Sequence, residues 1–375
     1  MIRTLAFAGY RSLRDVRLAL GPLTVITGPN GAGKSNVYRA LRLLVDAAHG
    51  TLGRALAQEG GMASATWAGP GRQKTSGGGT RLSIGFADEA MAYELRLGIP
   101  APPPPEPDKV PFALDPQVKE ETIRTLEKPK VRLLERRNLS VMLRDDEGRP
   151  QTFAAQLEHG ESVLAQLAEP HRYPVLSILR ERLRQWRFYH QFRTDTESPL
   201  RMPQLGTRTP VLSHDGHDLA AALETIIEDD ATDLVGGVRE AFEGARLLVT
   251  CERAYLTLYL EMPGVFRPLA ANELSDGTLR YLALLAALHS PRPPELLVLN
   301  EPETSLHPSV LEPLARQIIA AAERSQVIVV SHAAPLVDAL AKAKGAMRVE
   351  LTKQDGETIV AKRRRLDEPS WTWTP

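Results

Sequence analysis

The residues Gly28-Pro29-Asn30-Gly31-Ala32-Gly33-Lys34-Ser35 fit the pattern G-x-x-x-x-G-K-[ST], whose chemistry is the capture of phosphate oxygens. Glycines at Gly28, Gly31 and Gly33 let backbone N–H groups close around an anion with no Cβ in the way. In such a loop the Lys34 ammonium reaches the β- and γ-phosphates and the Ser35 hydroxyl ligates Mg²⁺, with Asn30 and Asn36 bordering the contact set. The ligand this implies is a nucleoside triphosphate. Two later stretches carry further candidates. Leu296-Leu297-Val298-Leu299 runs into Asn300-Glu301, and Val327-Ile328-Val329-Val330 runs into Ser331-His332. Both put a polar pair at the end of an apolar run.

The elements around these residues are legible. Leu23-Thr24-Val25-Ile26 is apolar and β-branched, as a buried strand should be, and it leads directly into the loop. Behind the loop, Val37, Ala40, Leu41, Leu44, Val45 and Ala48 recur at helical spacing, so the glycines open onto a helix N-terminus. The runs at 296–299 and 327–330 are uniformly apolar, which fits strands covered on both faces of a parallel sheet. A helix is expected between them, giving the strand–helix–strand order of an α/β core. His332 then points to the carboxyl edge, where such sheets bind ligands.

Elsewhere the chain alternates. Leu5, Phe7, Val16, Leu18 and Leu20 predict an N-terminal antiparallel portion, and 82–86 with 93–97 predict a hairpin turning near Asp88-Glu89. Residues 51–61 read as a short helix, 100–111 as an extended proline-rich connector, and 112–160 as short strands. Helical patterns occupy 161–188, broken at Pro170 and Pro174, and 217–242, followed by strands at 247–249 and 256–260. Met347–Thr352 with Thr358–Ala361 predicts a closing hairpin.

Composition removes several classes of function. Lys+Arg and Asp+Glu each number 46, so any polyanion-binding surface has to be local. The single cysteine, Cys251, excludes an intramolecular disulfide and a cysteine-rich zinc site. Neither a signal-peptide pattern nor an apolar span of membrane length is present, and a cytoplasmic protein without membrane attachment is expected. Ser331-His332 lacks the nucleophile elbow of a hydrolase triad.

The phosphate loop, Leu274-Ser275-Asp276-Gly277-Thr278, the strand ending in Asn300-Glu301, Ser305-Leu306-His307-Pro308 and the strand ending in His332 stand in one order. That order resembles the ABC-type ATPase head of the SMC/RecF/OLD-like branch. Phe7-Ala8-Gly9-Tyr10-Arg11-Ser12-Leu13 and Glu301-Pro302-Glu303-Thr304 are similar to that branch in particular. The resemblance implies an α/β fold: a P-loop NTPase with an ABC-type mixed-sheet core, an N-terminal antiparallel β portion and an inserted α+β lobe. The core is expected at 1–50 and 271–375 and the lobe at 51–270.

The resemblance further implies ATP and Mg²⁺ as ligands. Gly28 to Ser35 matches Walker A, and Ser275 and Gly277 match the signature residues that meet the γ-phosphate held by a second copy. Glu301 matches the glutamate that polarises the attacking water, and His332 the switch histidine. Lys34 joins these two as catalytic, and Ser35 with Asn300 forms the metal side. Two departures stand out. Asn300 replaces the usual aspartate and brings no charge to the metal, and Asp276 replaces a glycine and adds a carboxylate near phosphate unless a basic group faces it.

The reading is therefore a Mg-dependent ATPase acting as a nucleotide-sandwich dimer in DNA repair, maintenance or phage defence. The alternative is an ATP-gated dimerisation switch with slow hydrolysis that regulates a separate effector. DNA contact would fall to the basic runs 128–137, 180–193 and 362–365. No sustained heptads predict a coiled-coil arm, and the 43 residues after His332 are too few for an OLD-type nuclease domain, so a nuclease or effector would be a separate chain.

Overall fold

Every residue of the strand Leu23–Thr27 is buried, and so is every residue of Leu296–Asn300 and Gln326–Val330. These three strands run parallel. Val330 pairs with Ile26, and Asn300 with Val330. Arg187–Tyr189 adds a fourth parallel strand beside Leu296–Asn300, with Tyr189 opposite Leu299. The carboxyl ends of all four therefore emerge along one edge, and at Thr27 the chain passes straight into Gly28. The uniform apolar runs have the cause expected from sequence: alternate side chains on both faces are buried.

The computed structural model describes residues 1–69, 81–100, 111–127, 131–145, 147–153, 157–167, 169–230, 232–361 and 369–374. The prolines 102–105, Lys128, Lys130 and the basic run 362–365 lie outside them. The chain groups into two units: 1–21, 28–186 and 349–375 form one, 22–27 and 187–348 the other.

In the unit with the parallel strands, helix Leu311–Ala321 connects Leu296–Asn300 to Gln326–Val330 and packs against helices Ala334–Leu340, Thr232–Ala241 and Asp276–Leu288. Their apolar faces share one core with Leu23, Val25, Leu297, Leu299, Val327 and Val329. A small antiparallel sheet carries Arg246–Glu252 and Tyr255–Glu261.

In the other unit eight antiparallel strands follow the order Leu13–Ala19, Thr4–Tyr10, Arg81–Ala87, Met91–Gly98, Gln117–Thr125, Arg132–Arg137, Ser140–Arg144, Pro150–Phe153. The hairpin at 82–97 is present, and Asp88 makes its turn by accepting from the Ala90 and Met91 amides, each at 2.8 Å. Helix Lys34–His49 packs on Thr4–Tyr10 and Arg81–Ala87, while the C-terminal hairpin lays Glu357–Val360 against Leu13–Ala19. Glu121, fully buried, accepts from Tyr93 Oη (2.9 Å), Ser162 Oγ (2.6 Å) and the Val163 amide (2.9 Å).

Three local readings differ from the structure. The helical pattern at 161–188 is interrupted between helices Val163–Gln166 and Pro174–Gln185, as its prolines predict, but it ends in strand at Arg187–Tyr189. Phe188 and Tyr189 are captured by pairing with Leu296–Asn300, a long-range contact that helical periodicity cannot register. The stretch at 217–242 is two helices, Leu219–Asp230 and Thr232–Ala241, and that at 51–61 ends in a second short helix, Gly61–Ala65. Among the described residues no helix is long and apolar enough to cross a membrane.

Leu299 is fully buried one residue before Asn300. Leu299→Ala is expected to lower stability by about 2–5 kcal/mol. Urea unfolding should show the midpoint falling with an unchanged slope, and an unshifted midpoint would mean the strand is not the core element described.

Candidate functional site

The phosphate-loop sequence folds as a tight turn between Thr27 and helix Lys34–His49. Gly28 has φ +147°, and a Cβ there would lie 2.2 Å from the Leu351 carbonyl oxygen, so the position accepts only glycine. Asn30, Gly31 and Ser35 are exposed on the lip of the loop, whereas Lys34 is buried with Nζ donating to the Gly28 (2.7 Å) and Pro29 (3.1 Å) carbonyls. No acid occupies the first helical turn and no side chain caps it. Uncapped N–H groups at a helix start favour an anion.

Asn36 does something the pattern did not foretell. Its side-chain amide donates to Ser12 Oγ (2.8 Å), Ser12 Oγ lies 2.7 Å from Thr358 Oγ1, and Thr358 Oγ1 donates to the Ala32 carbonyl (2.8 Å). With Thr358 donating to Ala32, the Ser12 hydroxyl must donate to Thr358. The result is one directional chain of donors that braces the loop from the C-terminal hairpin. Ser12 and Thr358 were not singled out in the sequence, and no local signal links positions 346 residues apart.

Around the parallel-strand ends a second cluster forms. Glu301 follows the Leu296–Asn300 strand with φ +50°, a costly backbone for a residue with a side chain. Its amide donates to the Val330 carbonyl (2.7 Å), and its own carbonyl accepts from Thr304 N (3.1 Å) and Arg280 Nη2 (3.3 Å). The Glu301 carboxylate lies 3.7 Å from His332 Nδ1, with both side chains partly open to solvent. Glu303, also missed, holds the turn that presents His332. Its buried Oε1 accepts from Ser331 Oγ (2.7 Å), His332 N (3.0 Å) and Ala333 N (3.2 Å). Arg280 is buried beside these acids: burial lowers its pKa, while the Glu303 and Glu301 carboxylates oppose that fall.

Asn300 is 2% exposed. Its amide nitrogen donates to His190 Nδ1 (2.7 Å), and its buried Oδ1 has no hydrogen-bond partner among the described residues. Such an orphaned acceptor fits a metal-bound water, although it supplies no charge.

Ser275 caps helix Asp276–Leu288, accepting from the Thr278 amide (3.2 Å). The extra carboxylate of Asp276 does meet a basic group: Arg201 Nη2 donates to it (2.6 Å), Nη1 to the Leu274 carbonyl (2.7 Å), and Nε to the Thr194 carbonyl (2.9 Å). At Gly277 a Cβ would sit 2.7 Å from the Ser305 carbonyl oxygen, so this helix start and the 305 turn pack backbone to backbone. His307 caps the next turn by accepting from the Ser309 amide.

The aromatic residues interleaved with arginines are interior: Trp186, Phe188, Tyr189 and Phe192 are all buried. Arg182 and Arg193 are paired with Asp88 and Asp195, and Arg136 is fully buried against the carbonyls of Asn138, Glu158 and Glu161. Being buried, these four rings offer no stacking platform for nucleic acid.

The family described as "AAA domain, putative AbiEii toxin, Type IV TA system" matches residues 23–338, well over half of the chain. The chain belongs to that family. Among solved structures, this AAA-family chain is similar to the SMC head bound to the C-winged helix domain of ScpA, with a TM-score of 0.55 and 15% identity over 96% of both chains. It is also similar to an SMC head domain with an extended coiled coil, bound to the C-terminal domain of ScpA derived from Pyrococcus furiosus, with a TM-score of 0.50 and 14% identity over 96% of this chain and 95% of that one. A 45-residue segment is 49% identical to an OLD nuclease of Thermus scotoductus, covering 12% of this chain and only 8% of the nuclease. Together these show the P-loop fold of an SMC/RecF/OLD-like ABC-type ATPase head.

If the donor chain through Thr358 holds the phosphate loop in shape, Thr358→Val should weaken binding of a fluorescent ATP analogue in EDTA by about the 0.5–1.5 kcal/mol of one hydrogen bond. Thr358→Ser should restore it. Equal affinity for Thr358→Val and the native chain in an equilibrium titration would show that the brace is immaterial.

Proposed function

We propose that this AAA-family ATPase head binds ATP at Gly28 to Ser35 and hydrolyses it to ADP and phosphate at the interface of a nucleotide-sandwich dimer. The observation that carries the reading is the Glu301–Glu303–His332 cluster at the carboxyl ends of buried parallel strands, the edge at which α/β sheets handle ligands.

In this reading Glu301 accepts a hydrogen bond from the attacking water and receives its proton as the water oxygen bonds to the γ-phosphorus and the bond to the β-phosphate oxygen breaks. Lys34 and His332 stabilise charge on the γ-phosphate oxygens. His332 does this from a backbone fixed by Glu303. Ser35 Oγ and the orphaned Asn300 Oδ1 are the groups that would hold Mg²⁺, the latter through a metal-bound water. The ion neutralises developing charge on phosphate when bound. Ser275 and Gly277 of a second copy would complete the site, and Arg201 removes the electrostatic objection to Asp276 by pairing with its carboxylate.

A second reading is favoured by one observation, the neutral Asn300. The head would then close on ATP, turn over slowly and act on a separate effector chain. SMC heads like this one in fold are seen bound to domains of ScpA, which supports a protein partner here. In either reading the role would lie in DNA maintenance or phage defence with DNA as a further ligand, for which the only support is the short likeness to a nuclease.

Glu301→Gln with ATP should give a dimer by size exclusion with light scattering. Monomer alone would rule out the sandwich. Asn300→Asp should raise steady-state phosphate release if the missing charge restrains turnover; an unchanged, already brisk rate in the native chain would reject the switch reading.

A further inference from the structure

The parallel register that sets Tyr189 opposite Leu299 brings the next residues, His190 and Asn300, side by side. Their contact is short, 2.7 Å from the Asn300 amide nitrogen to His190 Nδ1. An amide nitrogen only donates, so Nδ1 must be the bare ring nitrogen and the imidazole proton must sit on Nε2. The same nitrogen lies 3.4 Å from the Asn300 carbonyl oxygen, an acceptor it cannot serve in that tautomer. The shorter contact therefore decides the arrangement. Arg280 Nη2 donates to the His190 carbonyl (2.9 Å) and to the Glu301 carbonyl (3.3 Å), tying the two strand ends together.

An aspartate has two equivalent oxygens, and either can accept from a metal-bound water. An asparagine has one. Turned over, it presents an NH₂ group that no metal site tolerates. At Asn300 the NH₂ half is committed to His190, and the half left over is the buried Oδ1 with no partner among the described residues. We propose that His190 is a positioning residue that fixes the flip state of Asn300, so that a neutral residue still offers an oriented oxygen on the Mg²⁺ side of the site. The proposal rests on Asn300 standing on that side, as in the function proposed above. It assigns His190 no contact with substrate.

The test is a Mg²⁺ titration of the affinity for a non-hydrolysable fluorescent ATP analogue, with affinity in EDTA as the baseline. His190→Leu is expected to raise the Mg²⁺ concentration at half-effect by about 10–100-fold, the usual cost of losing an outer-shell partner. Its EDTA affinity should stay native. His190→Asn keeps an acceptor near the Nδ1 position and should titrate like the native chain. The deciding arm is the double variant: in an Asn300→Asp background, where orientation no longer matters, His190→Leu should change nothing. An equal loss in both backgrounds, or none in either, overturns the proposal. A gain in Mg²⁺ affinity on His190→Leu also overturns it, because the amide would then be facing the other way. If His190→Leu loses affinity in EDTA through misfolding, His190→Asn against the native chain decides, and a large loss there rejects the idea. If the native chain shows no Mg²⁺ dependence at all, the placing of Asn300 on the metal side fails first, and this inference with it.

Discussion

The chemistry at the strand ends depends on a fixed register among strands that have no exposed face. A buried parallel strand cannot slide: a one-residue shift would carry apolar side chains out of their packing and bring polar ones in. Asn300, Glu301 and His332 are consequently placed by the packing of Leu297, Leu299, Val327 and Val329. The same register puts His190 beside Asn300 and lets the Glu301 amide reach the Val330 carbonyl. The positive φ at Glu301 is held by that amide bond and by Arg280 behind it. The strain is local and the restraint is distributed.

How much was readable in the sequence follows from the same physics. Where a residue's local structure depends on its neighbours in the chain, the sequence was enough. The Gly28 to Ser35 loop, the uniformly buried strands at 296–300 and 326–330, and the Asp88 turn all came from local pattern. Where the role depends on a partner far along the chain, it was not. Arg187 and Phe188 read as the end of a helical pattern because nothing adjacent announces their pairing with Leu296–Asn300. Glu303 was visible only as a letter in a motif, since its three donors lie in the 331–333 turn. The possible repulsion from Asp276 could be posed from the sequence, but only the structure shows Arg201 meeting it.

The interleaved arginines and aromatics teach the converse lesson. Charge and ring at alternate positions look like a nucleic-acid surface, yet at 186–192 the rings are core and the nearby guanidinium groups of Arg182 and Arg193 are paired with acids. An alternating pattern is what a half-buried element produces for reasons of solubility alone. Burial, which composition cannot supply, separates the two meanings.

The donor chain Asn36–Ser12–Thr358–Ala32 has a consequence for biosynthesis. It closes a loop of 346 residues between Ser12 and Thr358. During synthesis the phosphate-loop sequence emerges more than 300 residues before the strand Glu357–Val360. Chains are made from the N-terminus at about 5–20 residues per second, so the loop spends many seconds as a sequence without its brace. The brace itself can form only once the Glu357–Val360 strand has docked.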